Sequence, residues 1–274
     1  MERTRWIVVV GASIALLLAG ACLGDDAVER TPRGPIVIAS DADFTVDNGV
    51  RGGAGTESDP YRIADYEIDA AGAVDAISIE GTEAWFVIEN CVLFGAETAG
   101  VRLADAMNAA LVGNRFQGMS VGVVLNHVRG ARIEGNRFEA CEYVAVFDHS
   151  DNNHILDNVV VDCRIAFSLY ISSTNNRLYD NVVDALSPAL ITPSCGGNWL
   201  YRNDFLSGRA SSDSYNRWES LQGEGNYWGN YRGSDADGDG FGDEPFLIPG
   251  DAYEQDPHPA IVPYHPDRID DPDT

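Results

Sequence analysis

The 274-residue chain contains no lysine. Its 18 basic residues are all arginine, they face 43 acids, and the formal charge is −25. A nucleic-acid binder needs a basic face to replace the counterions on phosphate, so this balance excludes a nucleic-acid partner. It equally argues against docking on an anionic membrane through surface charge. Cysteine (5) and methionine (3) are scarce, and no Cys-x-x-Cys pair offers a soft-metal site. Stretches of good helix formers are missing beyond the N-terminus. In their place stand 28 glycines and many Asn and Asp, which favour turns and short strands. At 45% hydrophobic and 22% charged, the composition remains that of a folded domain.

One long apolar run exists, Trp6 to Ala21, preceded by Arg3 and Arg5. It is short for a membrane-spanning helix and ends in small residues, so residues 1–21 read as a secretory signal peptide. The mature chain then has no transmembrane span. Leu18-Ala19-Gly20-Ala21-Cys22 resembles the lipobox of secreted lipoproteins, with Ala19 where a branched residue is usual. On this reading Cys22 carries a lipid anchor and the protein is exported to the cell surface or periplasm. Plain cleavage near Ala21 is the alternative. Residues 22–34 read as a linker.

The governing feature is a repeat. Asn90, Asn114, Asn136, Asn158, Asn181, Asn203 and Asn226 are spaced by 24, 22, 22, 23, 22 and 23. An apolar residue stands three positions before most of them (Val87, Leu111, Ile133, Ile155, Leu178, Leu200). Another stands two positions after (Val92, Phe116, Phe138, Val160, Val183, Phe205, Trp228). Tyr66 holds the same frame one coil earlier. Such a period, with no room for a helix, means a solenoid. A leucine-rich repeat would need leucine five residues before the Asn, where Asn153, Asn176 and Asn198 stand. The pattern therefore predicts an all-β fold: a right-handed parallel β-helix over residues 35–230, about eight coils of 22–24 residues. The Asn side chains form a structural ladder at one bend, and Asn153, Asn176 and Asn198 form a second. Residues 231–274 form an acidic cap.

Three stretches carry a family likeness: Ala42 to Tyr61, the repeats, and Gly225-Asn226-Tyr227-Trp228-Gly229-Asn230-Tyr231 running into Asp235–Asp243. Together they resemble the NosD-like β-helix proteins of the pectin-lyase-like fold, exported archaeal and bacterial proteins. The resemblance covers about residues 35–265. It implies the fold; for function it spans copper-delivery accessory proteins, glycan-binding or glycan-cleaving domains, and members with no known activity.

Two metal sites are candidates. Asp235, Asp237, Asp239 and Asp243 fall at positions 1, 3, 5 and 9 of a calcium-loop pattern, with Gly240 at the turn and the Phe241 carbonyl at position 7. Position 12 is Phe246 rather than a bidentate Glu, so the loop is not an EF-hand, and a solvated acidic turn is the competing account. His127 and His149 lie 13 residues after successive ladder Asn, with Asp105 equivalent one coil earlier, so the three form a column. Imidazoles stacked at rung spacing could share copper or zinc; polar turn residues in register are the plainer account. Cys141 and Cys163 share a column with Met119 and Leu186 and read as reduced, stacked core thiols.

Catalysis finds little support. The outward positions of the second strand type are Ser78, Arg102, Val124, Val146 and Ser168, without an acid cluster. Arg115 and Arg137 stack on another face, where Glu139 pairs with them. No two carboxylates stand at matching outward positions of adjacent coils to act as a glycosidase pair. The reading is an exported, surface-anchored, non-catalytic β-helix protein that binds extracellular glycans or serves structurally. A polysaccharide lyase or hydrolase and a copper-handling protein are the alternatives.

Overall fold

The computed structural model describes residues 29–269. The signal segment and Cys22 lie outside the described residues. The fold is a parallel β-helix of about eight turns. Among the described residues helix is confined to a 3-10 turn at Asp41–Asp43 and four residues at Pro266–Ile269. A typical coil runs Arg132–Glu134, Arg137–Glu139, Tyr143–Asp148. Strands of the first kind stack into a seven-stranded sheet, from Tyr61–Ala64 to Trp199–Tyr201. The other two kinds merge into one 15-stranded sheet, because Val159–Tyr170 and Val182–Ile191 run through the corner unbroken.

Each short strand alternates, with its middle residue inward, as in Arg132-Ile133-Glu134. Parallel register then piles like on like. Leu93, Phe116, Phe138, Val160, Val183, Phe205 and Trp228 form one inward file. Ile63, Ile88, Leu111, Ile133, Ile155, Leu178 and Leu200 form another. The Phe116 and Phe138 rings stack at 4.5 Å, 9° from parallel. Each fully buried ring contributes about 1.5–3 kcal/mol. Their space comes from glycine: a Cβ on Gly122 would sit 2.7 Å from Phe138 Cδ1, and one on Gly100 would sit 2.6 Å from Phe116 Cδ1.

The bend after the seven-stranded sheet is closed by buried amides. Asn136 Nδ2 donates to Asn158 Oδ1 (3.0 Å) and to Leu111 O (2.9 Å). Its own Oδ1 accepts from the backbone N–H of Asn114 (2.9 Å) and from Asn114 Nδ2 (3.0 Å). The same pattern continues through Asn158, Asn181, Asn203 and Asn226. The second ladder runs Asn153, Asn176, Asn198 and on to Asn216, which the period did not announce because it comes only 18 residues later. A buried amide with every donor and acceptor used is a fixed register mark.

Asn90 is not in the ladder. It is exposed, and Cys91 fills the slot, its N–H donating to Asn114 Oδ1 at 3.0 Å. The coil is therefore offset by one residue from the expected frame: Leu93, not Val92, meets Phe116, and Ile88, not Val87, meets Leu111. A second correction concerns Cys163, which pairs with Ala185 after a bulge, leaving Leu186 74% exposed. A third concerns the start. Thr31–Arg33, expected in a linker, already pairs with Tyr66–Ile68, and Ile36–Ile38 pairs with Ile77–Ile79 as a rung strand.

The C-terminal segment terminates both ladders. Phe246–Leu247 and Gln255–Asp256 form a small antiparallel pair. From it the buried Asp256 accepts from Asn226 N–H (2.7 Å) and Trp228 Nε1–H (2.9 Å). Two residues earlier, Glu254 accepts from Asn216 N–H and from Trp218 Nε1–H (3.0 Å). Further on, the buried Asp204 accepts from the N–H groups of Tyr264 (2.7 Å) and His265 (2.8 Å).

Two measurements check this account. Asn158→Leu strands amide partners on both neighbouring rungs, so a loss of about 1–3 kcal/mol is expected in chemical denaturation. Asn90→Gly, which tolerates the left-handed backbone there (φ 54°), should stay within about 0.5 kcal/mol, and an equal loss at both positions would refute the register. His265 is the second. Asp180 and Asp204 hold its proton up to about pH 9, above the ordinary 6.5. Its stabilising contribution is thus complete below pH 6.5 and lost as pH rises to 9. About 1–3 kcal/mol of cap stability should disappear across that window. His265→Gln should flatten the dependence.

Candidate metal centres

Asp105, His127 and His149 take equivalent places at the corner where the longest strand of a coil ends. All three have left-handed backbone, with φ of 46°, 51° and 48°. The strands before them are in register through Ala104, Asn126 and Asp148. This brings the two imidazoles face to face, ring centroids 4.7 Å apart and 15° from parallel.

The residue before each histidine sets its tautomer. His127 Nδ1 lies 2.8 Å from Asn126 Oδ1, and His149 Nδ1 lies 2.7 Å from Asp148 Oδ1. Asn126 Nδ2 in turn donates to Asp148 Oδ2 at 3.1 Å. These oxygens accept, so each Nδ1 carries a proton, and in the neutral ring Nε2 holds the lone pair. Metal-binding histidines are held in the same way by oxygen partners. Asp105 stands on the tethered side, 3.9 Å from His127 Nδ1, and does not converge with the two Nε2 atoms. Both imidazoles are about half exposed.

Imidazole nitrogen suits copper and zinc. With metal–nitrogen bonds of about 2.0–2.1 Å, a shared ion needs the two Nε2 atoms within about 4.2 Å. In rings 4.7 Å apart and 15° from parallel the two lone pairs run side by side, so the imidazoles must swing toward one another to share an ion. With that swing the pair fits as a two-nitrogen donor set with positions left open. The thiols do not compete. All four described cysteines are unbonded and buried, and burial pushes Cys91 up to about 11.

In the acidic loop, Asp235, Asp237 and Asp239 bring carboxylate oxygens within 4.8 Å of one another, which among the described residues no other trio of His, Cys, Asp or Glu does. Asp243 turns elsewhere, accepting from Ser234 Oγ (3.1 Å) and Ala236 N–H (2.8 Å). Asp235 already accepts from the N–H groups of Gly238, Asp239 and Gly240. Phe241 N–H donates to Asp239 Oδ1 at 2.8 Å, and Phe241 bridges to Ala260. Three of the five expected ligands are thus gathered, largely by their own amides. Arg115 and Arg137 both pair with Glu139, which leaves that face self-satisfied.

The family model described as periplasmic copper-binding protein (NosD) matches residues 39–185 and again 76–233. Two overlapping matches are what a repeat produces when it aligns with itself in a shifted frame. A comparison with curated proteins finds no match.

The loop yields a direct measurement. Limited proteolysis should cut within residues 234–243 faster in Asp235→Ala than in wild type, since three amides lose their acceptor. If calcium also sits on the three carboxylates, millimolar Ca²⁺ should slow cutting relative to chelator. Equal rates in both conditions would leave the amide bonds as the loop's whole support.

Proposed function

The chain belongs to the NosD family, and from that premise we propose that it is an exported protein that binds copper at the His127–His149 pair. The observation that carries the reading is the double tether. Asn126 and Asp148 accept hydrogen bonds from the two Nδ1–H groups, which leaves the two Nε2 atoms as donors to a metal on adjacent rungs. A neutral, tethered imidazole is the form a metal requires, and binding then needs the two rings to swing into convergence.

The chain's own residues divide the work. His127 and His149 would hold the ion. Asp148 orients His149 and, through Asn126 Nδ2, also fixes the amide that orients His127. The half-exposed corner leaves room for further ligands from a donor or acceptor protein, which suits transfer better than storage. Bound copper would supply a soft, exchangeable charge at the surface. A lipid anchor at Cys22 would keep that charge at the membrane face.

Titration of the full-length protein with copper, followed by intrinsic fluorescence and by the visible absorption of Cu(II), tests the reading. One equivalent should bind tightly to wild type. His127→Ala/His149→Ala should lose it, and Asp148→Ala should weaken it by about 10–100-fold, as loss of an oriented tether does. Unchanged binding in the double variant would place copper elsewhere and end the proposal.

A further inference from the structure

The outer face of the seven-stranded sheet changes character along its length. Strand register sets one outward file through Val87, Ala110, Arg132, His154, Arg177 and Trp199. Beside it run Leu156, Tyr179 and Tyr201, the two tyrosine rings stacked at 5.1 Å. Two grooves lie along this face and share His154. One, of about 320 Å³, is lined by Trp85, Asn108, Arg132 and small residues such as Ala110 and Gly130. The other, of about 410 Å³, is lined by Asn152, Asn175, Arg177 and Trp199.

On this face Arg62 and Arg132 are matched by Glu89 and Glu134, and Arg177 is in excess. Among the described residues no carboxylate lies within ion-pair distance of Arg177, although acids outnumber arginines 43 to 18. Its guanidinium lies over Trp199 at 5.5 Å, and Arg217 lies over the same ring at 4.9 Å. Arg132 is engaged by Glu134. Burial, and after it the two flanking arginines, lowers His154 below the ordinary imidazole value.

We propose that this face binds an extended acidic saccharide, one of its carboxylates meeting Arg177 and its sugar rings lying in the two grooves. Length, charge and lining select this occupant. From the rung beside Trp85 to that of Trp199 is five steps of about 4.8 Å, or ~24 Å, the reach of a polymer rather than of a small anion. Arginine forks match carboxylates in two-point geometry. Asn108, Asn152 and Asn175 offer amides to hydroxyls, and Trp85 and the alanines offer apolar surface to sugar faces. A nucleic acid, with a charge at every phosphate, would meet the remaining −25. The site is independent of the copper reading.

Calorimetry and fluorescence titration of the full-length protein, in chelator, test it with short galacturonate and mannuronate oligomers and their neutral methyl esters. At least one acidic oligomer should bind, more weakly as salt is raised. Its methyl ester and the Arg177→Gln variant should each lose about tenfold or more. Arg164→Gln, whose arginine pairs with Glu142, and His127→Ala/His149→Ala should bind as wild type does. Circular dichroism should be the same for all variants. Absence of binding by both acidic oligomers, or equal affinity for the ester or for Arg177→Gln, would overturn the proposal.

Discussion

Everything in this molecule depends on how a parallel β-helix turns its corners. Between strands the ladder hydrogen bonds stop, and the backbone groups at the bend would be buried without partners. A column of asparagines solves this. Each Oδ1 takes the backbone N–H of the Asn one rung away, and each Nδ2 reaches a backbone carbonyl such as Leu111 O, Ile133 O or Ile155 O. No other side chain carries a donor pair and an acceptor at that reach. The amide thus fixes the coil length near 22 residues, and coil length fixes every other column. Stacked phenylalanines, stacked histidines and files of arginine are consequences of that one constraint.

Register also governs charge. Stacking would place like charges about 4.8 Å apart on neighbouring rungs, and the chain answers with arginine forks that bridge them. Arg115 reaches across to Glu139, Arg129 to Asp151, Arg164 to Glu142, and Arg202 to both Asp180 and Glu224. Such exposed pairs add little stability individually. Their effect is to relieve local repulsion in a chain of −25. Arg177 departs from the pattern, resting on an indole instead of a carboxylate, and the departure coincides with the grooves.

The sequence made the ladder legible because buried amides have no ready substitute. It was less legible where a near neighbour imitated it. Around Asn90, the pairs Val87–Ile88 and Val92–Leu93 are apolar in both frames, so hydrophobicity could not reject a one-residue slip. The actual occupant, Cys91, keeps one ladder bond through its backbone and turns its Sγ toward the Glu89 and Ile63 carbonyls. Glu254 and Asp256 lie beyond the last repeat, and only folding brings them onto the ladder ends. The histidine column was visible as a constant 13-residue offset, whereas the tethering role of Asn126 and Asp148 emerged from side-chain direction. The Arg132–His154–Arg177–Trp199 file repeats arginine only at alternate rungs, so no single-residue period revealed it.

The second ladder ties the two proposed sites to one another. Asn153 lies between His149 and His154, is fully buried, and bonds to Asn176 above and to the Ala131 N–H below. The corner that holds the imidazoles and the strand that carries His154 therefore leave the same fixed amide in opposite directions. Arg129 and Asp151, paired at 2.9 Å, occupy the surface between them. In a solenoid each coil contacts mainly its neighbours, so a disturbance here stays local but reaches both faces of the turn. A copper ion bound at the corner would add positive charge on the coils that also carry Arg132 and His154, and so raise their pull on a polyanion without any movement of the backbone. Coupling between the two sites would then be electrostatic and would fade as salt is raised, whereas coupling carried by the Asn153 amide would not.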